Sequence, residues 1–301
     1  MNCEKPLLAI SFGFQDNGKR RIKLLPKRAD FNMRTLRDKY GDALITIPCG
    51  VCTSCRLNRA RDWANRCVLE AFLYSDNAFV TLTYDDSHLP SSLVKAHLQA
   101  FIKKLRNDGH SIRYFGCGER GSLNGRPHYH VILFGYWPTD AVMLSKTNGN
   151  YLYTSKYLSS VWGKGFVTIG SVTQESAGYV ARYTLKKVGG SNYKDEFTLM
   201  STRPGIGYSY FQDHQDSIYI NDKIVFNFGD SHYAKAPRYF DKKLEELNPD
   251  KMRDILEKRK AKSTAVLKSS LTKSNYENEE ELLKGELSSL KVAVKSLKRR
   301  L

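Results

Sequence analysis

Nowhere in its 301 residues does the chain run 18 apolar residues together, about the least that a helix needs to cross a bilayer. The N-terminus, MNCEKPLLAISFGFQDNGKRR, places its apolar run before its charges, the reverse of a secretory signal. Neither a membrane span nor a secretion route is therefore expected. Internal repeats and low-complexity linkers are also lacking, so length permits one large domain or two small ones. Acidic residues are few: 31 Asp and Glu stand against 48 Lys and Arg, giving a formal charge of +17 and a pI of about 9.5. Such an excess predicts a polyanionic partner, and nucleic acid is favoured over a membrane surface because no basic amphipathic anchor accompanies it. Cysteine is scarce, with six residues confined to the first 117, and three of them are set at CxxCxxC, too close for a disulfide framework. A reducing compartment and a metal site are expected instead. Core-forming residues are present: 41% of the chain is hydrophobic and 12% aromatic, which excludes wholesale disorder.

The positive charge lies at the ends. Residues 1–74 and 251–301 each carry +7, residues 75–200 carry +5, and residues 201–230 carry −2. Three segments are expected: a Cys-rich basic stretch over 1–74, a catalytic domain with its elaboration over 75–245, and a basic helical tail over 246–301. Leu57, Ala60, Ala64, Cys67, Val68 and Ala71 recur at helical spacing. Ala78 to Tyr84 is β-branched and aromatic and predicts a buried strand. Ser91 or Ser92 can cap a helix carrying Leu98, Phe101, Ile102 and Leu105. Two strand-like runs, 112–117 and 128–134, flank a Gly/Asn-rich turn and predict a hairpin. A strand is expected over 164–172, a helix over 176–188, and a second hairpin over 217–227 about Asn221-Asp222. Alternation of this kind is an α+β sheet domain.

The chemistry concentrates in Arg126-Pro127-His128-Tyr129-His130. Side chains two apart on a strand share a face, so His128 and His130 can offer two imidazoles to one ion. A hairpin turn would set Glu119 opposite them. A His-His-Glu set with open positions suits Mg²⁺ or Mn²⁺ acting on a phosphate, although a bare HxH also occurs as half-exposed histidines on an edge strand. In Tyr179-Val180-Ala181-Arg182-Tyr183-Thr184-Leu185-Lys186-Lys187, two phenols four residues apart stand on one helix face. A phenol is a weak nucleophile unless cations steady its phenolate, and Lys186, Lys187 and Arg182 are candidates. An ordinary amphipathic helix accounts for the same pattern.

Cys49, Cys52 and Cys55 want a fourth ligand for a tetrahedral zinc. Cys67 lies about 18 Å along the helix from Cys55 and cannot close the site. Cys3 can, if the strand-like N-terminus returns to this loop; buried free thiols are the other reading. Arg56, Arg59, Arg61 and Arg66 follow, and Arg20, Arg21, Lys23, Lys27 and Arg28 precede, as a surface that could track phosphates.

Taken together and in order, FVTLTY (79–84), RPHYHVILF (126–134) and YVARYTLKK (179–187) resemble the three motifs of the HUH endonucleases that start rolling-circle replication. PCGVCTSCRLNRARDWANR (48–66), GCGERGSLNGRPHYHVILFG (116–135), RPGIGYSYF (203–211) and PRYFDKK (237–243) are similar, more closely, to replication initiators of the gokushovirus branch of small single-stranded DNA phages. The likeness covers about residues 1–245. It implies an HUH nuclease core, a central and mainly antiparallel sheet flanked by helices, with a Cys-rich N-terminal segment and a helical C-terminal tail. It also implies metal ligands at His128, His130 and Glu119, and nucleophiles at Tyr179 and Tyr183. Lys186 fits a YxxK pattern behind Tyr183, whereas Tyr179 has Arg182 in the equivalent place. The implied partners are single-stranded and replicative-form phage DNA, with host helicase, polymerase and single-strand binding protein, in the cytoplasm of a bacterial host. An HUH plasmid initiator, relaxase or transposase, and a non-enzymatic zinc-containing DNA-binding or packaging protein, are the competing readings.

Overall fold

The computed structural model describes residues 3–15, 20–26, 32–121, 124–147, 150–186, 195–228 and 230–298. The chain begins with β1 (Leu7–Phe14), β2 (Arg20–Leu24), α1 (Met33–Tyr40), β3 (Leu44–Ile47) and α2 (Thr53–Ala71). It continues through β4 (Asn77–Thr83), α3 (Lys95–Asn107), β5 (Arg113–Arg120), β6 (Pro127–Phe134), β7 (Val142–Thr147), β8 (Asn150–Thr154) and α4 (Lys156–Trp162). Next come β9 (Val167–Ser171), α5 (Gln174–Lys186), β10 (Phe197–Met200), α6 (Tyr208–Ile220), β11 (Ile224–Phe228) and β12 (Asp230–Ala234). The last helices are α7 (Arg238–Leu247), α8 (Pro249–Thr272) and α9 (Glu279–Lys298). Two units result, one made of Met1–Asn58 with Asp241–Leu301 and the other of Arg59–Phe240. The molecule is an α+β protein with a large antiparallel sheet flanked by helices, a cysteine cluster near the N-terminus and helices at the C-terminal end.

In the unit Arg59–Phe240 seven strands pair antiparallel in the order β10-β5-β6-β4-β9-β8-β7. Alternation along β4 sends Ala78, Val80 and Leu82 to one face, each fully buried, and leaves Phe79, Thr81 and Thr83 on the other. The first face packs against α3 and α4, where Leu98, Phe101, Ile102, Leu105, Leu158 and Trp162 join Val80, Leu82, Tyr129 and Val131 in one core. Each such side chain, fully buried, contributes about 1.5–3 kcal/mol. Against the second face lie Trp63 of α2, stacked on Phe115 with centroids 4.9 Å apart, and α5, which runs against β5, β6 and β10.

The RPGIG segment is locked onto α2. Arg66 is buried between the rings of Trp63 and Tyr239, 4.0 Å from each centroid, and its Nε donates to the Ile206 carbonyl at 2.9 Å. Glu70 accepts from the Gly207 N–H at 2.5 Å and pairs with Arg113, whose Nη2 donates to the Pro204 carbonyl at 2.8 Å. A Cβ on Gly205 would stand 2.6 Å from the Tyr239 hydroxyl, so close an approach requires glycine there. Arg66 is thus a packing residue and not part of a phosphate-tracking surface, because its guanidinium is enclosed by rings and spent on a backbone carbonyl.

Several sequence expectations shift. Residues 217–220 end α6 instead of opening a hairpin: Phe211, Ile218 and Tyr219 are buried at helical spacing, and Asp222, at φ 50°, stops the helix. The late hairpin is β11 with β12, starting seven residues on. Neither Ser91 nor Ser92 caps α3; the cap is Val94, without a side-chain bond, while the Leu93 N–H is taken by Asp195 at 2.9 Å. Helix α5 starts at Gln174, two residues earlier than expected. The unit Met1–Asn58 with Asp241–Leu301 holds the sheet β2-β1-β3, with Leu7 opposite Ile47. Arg259 forks onto Asp241 at 2.8 and 3.0 Å, and Lys291 reaches Glu4 at 3.2 Å.

Candidate metal centre and its neighbouring helix

The β5–β6 hairpin fixes the register of the site. Gly121 N–H donates to the Arg126 carbonyl and Gly125 N–H to that of Gly121, both at 3.0 Å, and Gly125 takes φ +61°. Glu119 then falls opposite His128, and Cys117 opposite His130. All lie on the α5-side face because the period of a strand is two. Thr81 of β4 faces His130 from the other flank.

One carboxylate oxygen is the point of convergence. Glu119 Oε1 lies 2.6 Å from His128 Nε2, 3.0 Å from His130 Nε2 and 3.2 Å from the hydroxyl of Tyr179, which donates to it. The far nitrogens are held as well, His128 Nδ1 by the Arg126 carbonyl at 3.1 Å and His130 Nδ1 by Thr81 Oγ1 at 2.9 Å. A carbonyl only accepts, so it keeps a proton on His128 Nδ1 and turns Nε2 towards Glu119. One ligand atom each from Glu119, His128 and His130 falls within 4.8 Å of the others, as ligands do around one ion bound at about 2.0–2.2 Å. These three residues can hold a metal ion.

Glu119 is 2% exposed. Burial pushes its carboxyl up, but the hydrogen bonds and charges of His128 and His130 outweigh that and bring it down to about 2. Since this lies below the ordinary 4.5, the ionised carboxylate stabilises the fold at higher pH, and that contribution is lost as pH falls through about 2.

Helix α5 delivers Tyr179 to this point. Ala177, Val180 and Ala181 are fully buried, which seats the helix and turns Tyr179 over the sheet. Its ring meets His130 edge-on at 5.0 Å and Phe79 at 6.4 Å. Tyr183 follows one turn later on α5, with Arg182 and Lys186 on the same helix; the side chains of these three, and Lys187 entirely, lie outside the described residues. The structure therefore gathers Glu119, His128, His130 and Tyr179. Thr81 was missed by sequence reasoning: its alternation with Phe79 and Thr83 was legible, but its register against His130 was not. Behind the site, Tyr129 points to the opposite face, where its hydroxyl meets that of Tyr84 at 2.6 Å and donates to the Val94 carbonyl at 3.0 Å. This ties the histidine-bearing strand to the start of α3.

A second cluster is built by the β1–β3 pairing. Cys3 precedes β1 and Cys49 follows β3, so the antiparallel register brings them together, and the turn at Gly50, φ +77°, returns the chain to Cys52 and Cys55. The four sulfurs lie within 4.8 Å of one another and can hold a metal ion. Cys49 and Cys3 sulfurs accept from the backbone N–H groups of Cys52 at 3.3 Å and Cys49 at 3.2 Å. Burial raises the Cys49 thiol, yet the N–H groups of Val51 and Cys52 bring it to about 6, while burial pushes Cys55 up to about 12. Cys67 and Cys117 are buried core residues, fully removed from solvent. Arg56 is half-buried on α2 and Arg61 exposed; Arg59 is exposed beside them, and Arg21 and Lys23 are exposed on β2. Lys27 and Arg28 lie outside the described residues.

An antiparallel sheet that presents two histidines, a carboxylate and a helix-borne tyrosine to one point defines a metal-site protein of the tyrosine-bearing class. The family model for the replication-associated protein ORF2 matches residues 77–188, the stretch that holds all of these side chains. The chain is 38% identical over 220 residues to the replication-associated protein ORF2 of Spiroplasma virus 4, covering 66% of this chain and 68% of that protein. It is 34% identical to the replication-associated protein VP4 of Bdellovibrio phage phiMH2K, over 73% of this chain and 74% of that one. To the replication-associated protein ORF4 of Chlamydia phage 1 it is 29% identical, over 67% and 54%. The chain belongs to this family of replication-associated proteins. No solved structure matches it at a significant level. Among the described residues no helix is long and apolar enough to cross a membrane.

Proposed function

We propose that the protein initiates rolling-circle replication of a phage genome by nicking its origin and, later, cutting and rejoining the displaced strand. The observation that carries this is the meeting of Tyr179 with Glu119, His128 and His130 at one oxygen atom, in a chain whose relatives are replication-associated proteins. A divalent cation of the Mg²⁺ or Mn²⁺ kind, held by Glu119, His128 and His130, supplies Lewis acidity to the scissile phosphate. The tyrosine oxygen attacks phosphorus in line. The P–O3′ bond breaks as the tyrosine O–P bond forms, the phenol proton is lost, and the departing 3′ oxygen becomes a hydroxyl that can prime synthesis. One phosphodiester replaces another, so no nucleotide cofactor is needed and the reverse step joins ends. Tyr179 and Tyr183, four residues apart on α5, provide two acceptors, one empty while the other is occupied; Lys186, Lys187 and Arg182 steady the phenolates.

Arg56 and Arg59 contribute to holding the strand through its phosphates. Single-stranded and replicative-form phage DNA are the substrates, and the reaction takes place in the host cytoplasm beside host helicase, polymerase and single-strand binding protein. Incubation with an origin oligonucleotide labelled on the 3′ side of the nick, in the presence of Mn²⁺, is expected to yield a protein–DNA adduct that EDTA prevents and that peptide mapping assigns to 179–187. Sequence-specific binding without any adduct would favour a non-enzymatic DNA-binding role.

The Cys3, Cys49, Cys52 and Cys55 cluster is proposed to hold a structural Zn²⁺. A tetrahedron with Zn–S bonds of about 2.3 Å has edges of about 3.8 Å, and Cys3 and Cys52 sulfurs lie 3.9 Å apart. Native mass spectrometry is expected to find one zinc per chain, with these four thiols protected from alkylation until the metal is chelated. Prompt alkylation of all four in the native, metal-replete protein would leave them free thiols.

A further inference from the structure

At the end of β6 remote from the histidines, the sheet opens into a cavity of about 530 Å³ lined by Asp76, His110, Tyr136, Trp137, Asp140 and Tyr157 among others. Six residues of extended chain separate His130 from Tyr136, about 20 Å, so the cavity is distinct from the metal centre. Its walls are aromatic, with His110 set edge-on to Tyr136 at 4.8 Å and to Tyr157 at 5.7 Å. Tyr136 is 6% exposed, yet its hydroxyl has no protein partner among the described residues, and neither do the Trp137 indole N–H and the ring nitrogens of His110. Burial raises the Tyr136 phenol above its ordinary value, so it is a neutral hydrogen-bonding group. Polar groups without partners are uncommon on buried residues, and here they line a space that a flat ligand fits.

The charge of the lining selects the ligand. No Lys or Arg lines the cavity, while Asp76 and Asp140 do. Asp140 is held ionised by Ser155 Oγ at 2.5 Å and the Tyr157 N–H at 2.9 Å, and the Tyr157 hydroxyl donates to Asp108 at 2.7 Å. A phosphate is repelled; a planar, uncharged ring with amino donors is not. We propose that this cleft takes one unpaired, amino-bearing nucleobase of the single strand, stacked on Trp137 or Tyr157, several nucleotides from the phosphate held at Glu119, His128 and His130. Thymine, which lacks an exocyclic amine, is disfavoured. The inference rests on the reading that the chain works on single-stranded DNA.

Two measurements on the full chain test it. Oligo-dC substituted with 5-iodocytosine, irradiated with the wild-type protein, is expected to crosslink to Tyr136, Trp137, Tyr157 or His110. In fluorescence anisotropy, oligo-dC and oligo-dA should bind more tightly than oligo-dT. Trp137→Ala should weaken oligo-dC binding about tenfold, as the loss of one stacked base does, and erase the preference, while Trp137→Phe restores most of it. Crosslinks found only elsewhere, or base preference unchanged in a Trp137→Ala protein of normal melting temperature, would overturn the site. Should Trp137→Ala not fold, the crosslink map on the wild type decides alone. Crosslinking at these residues in a protein that forms no tyrosine adduct upholds the base site and removes the nuclease reading instead.

Discussion

His130→Ala is expected to lower origin cleavage by on the order of 10³-fold or more, and His128→Ala comparably, equivalent to about 4 kcal/mol of transition-state stabilisation. Both imidazoles point Nε2 at the same Glu119 oxygen, so removing either leaves a two-ligand site open to water. Calorimetric titration should show Mn²⁺ affinity falling with activity. Affinity for oligonucleotide, carried by distributed cations, should change little. His130 also stacks on Phe79 with centroids 5.5 Å apart, so His130→Gln, which fills more of the space, separates loss of a ligand from loss of packing. Full Mg²⁺-dependent cleavage by either histidine variant would remove these residues from the site. Tyr179→Phe behaves oppositely towards the ion: its hydroxyl donates to the oxygen that a cation takes, so Mn²⁺ affinity should hold or rise.

The double variant Tyr179→Phe/Tyr183→Phe should form no covalent adduct, a complete loss against either single variant. The Tyr179 hydroxyl rests on an anionic carboxylate, which holds its proton, whereas Tyr183 is followed by Lys186 and Lys187 at three and four residues. Tyr183→Phe is therefore expected to slow the first cleavage more than Tyr179→Phe. Each single variant should fail in repeated cleavage and joining, because the relay needs an empty phenol while the other is bound. Peptide mapping of stalled adducts reads this directly. Adducts confined to Tyr179 would reverse the order and keep the mechanism, while DNA attached at a third residue would sink the assignment.

Local pattern alone determined much of this protein. A two-residue period placed His128 and His130 on one face, a Gly/Asn-rich turn folded Glu119 back onto them, and CxxCxxC marked a metal loop, because each of these depends on contacts within a few residues of chain. The tertiary structure decided what depends on register and packing between distant segments. It supplied Thr81 as the partner of His130 and brought Cys3 to the other three sulfurs through the β1–β3 pairing. It withdrew Arg66 from the surface, since the rings that enclose it lie 3 and 173 residues away. It also turned 217–220 from strand into helix, where a short apolar run cannot reveal its own period and burial beside Phe211 settles it. The nucleobase cleft was illegible for the same reason: Asp76, His110, Tyr136 and Tyr157 carry no common motif, and only the end of the folded sheet assembles them.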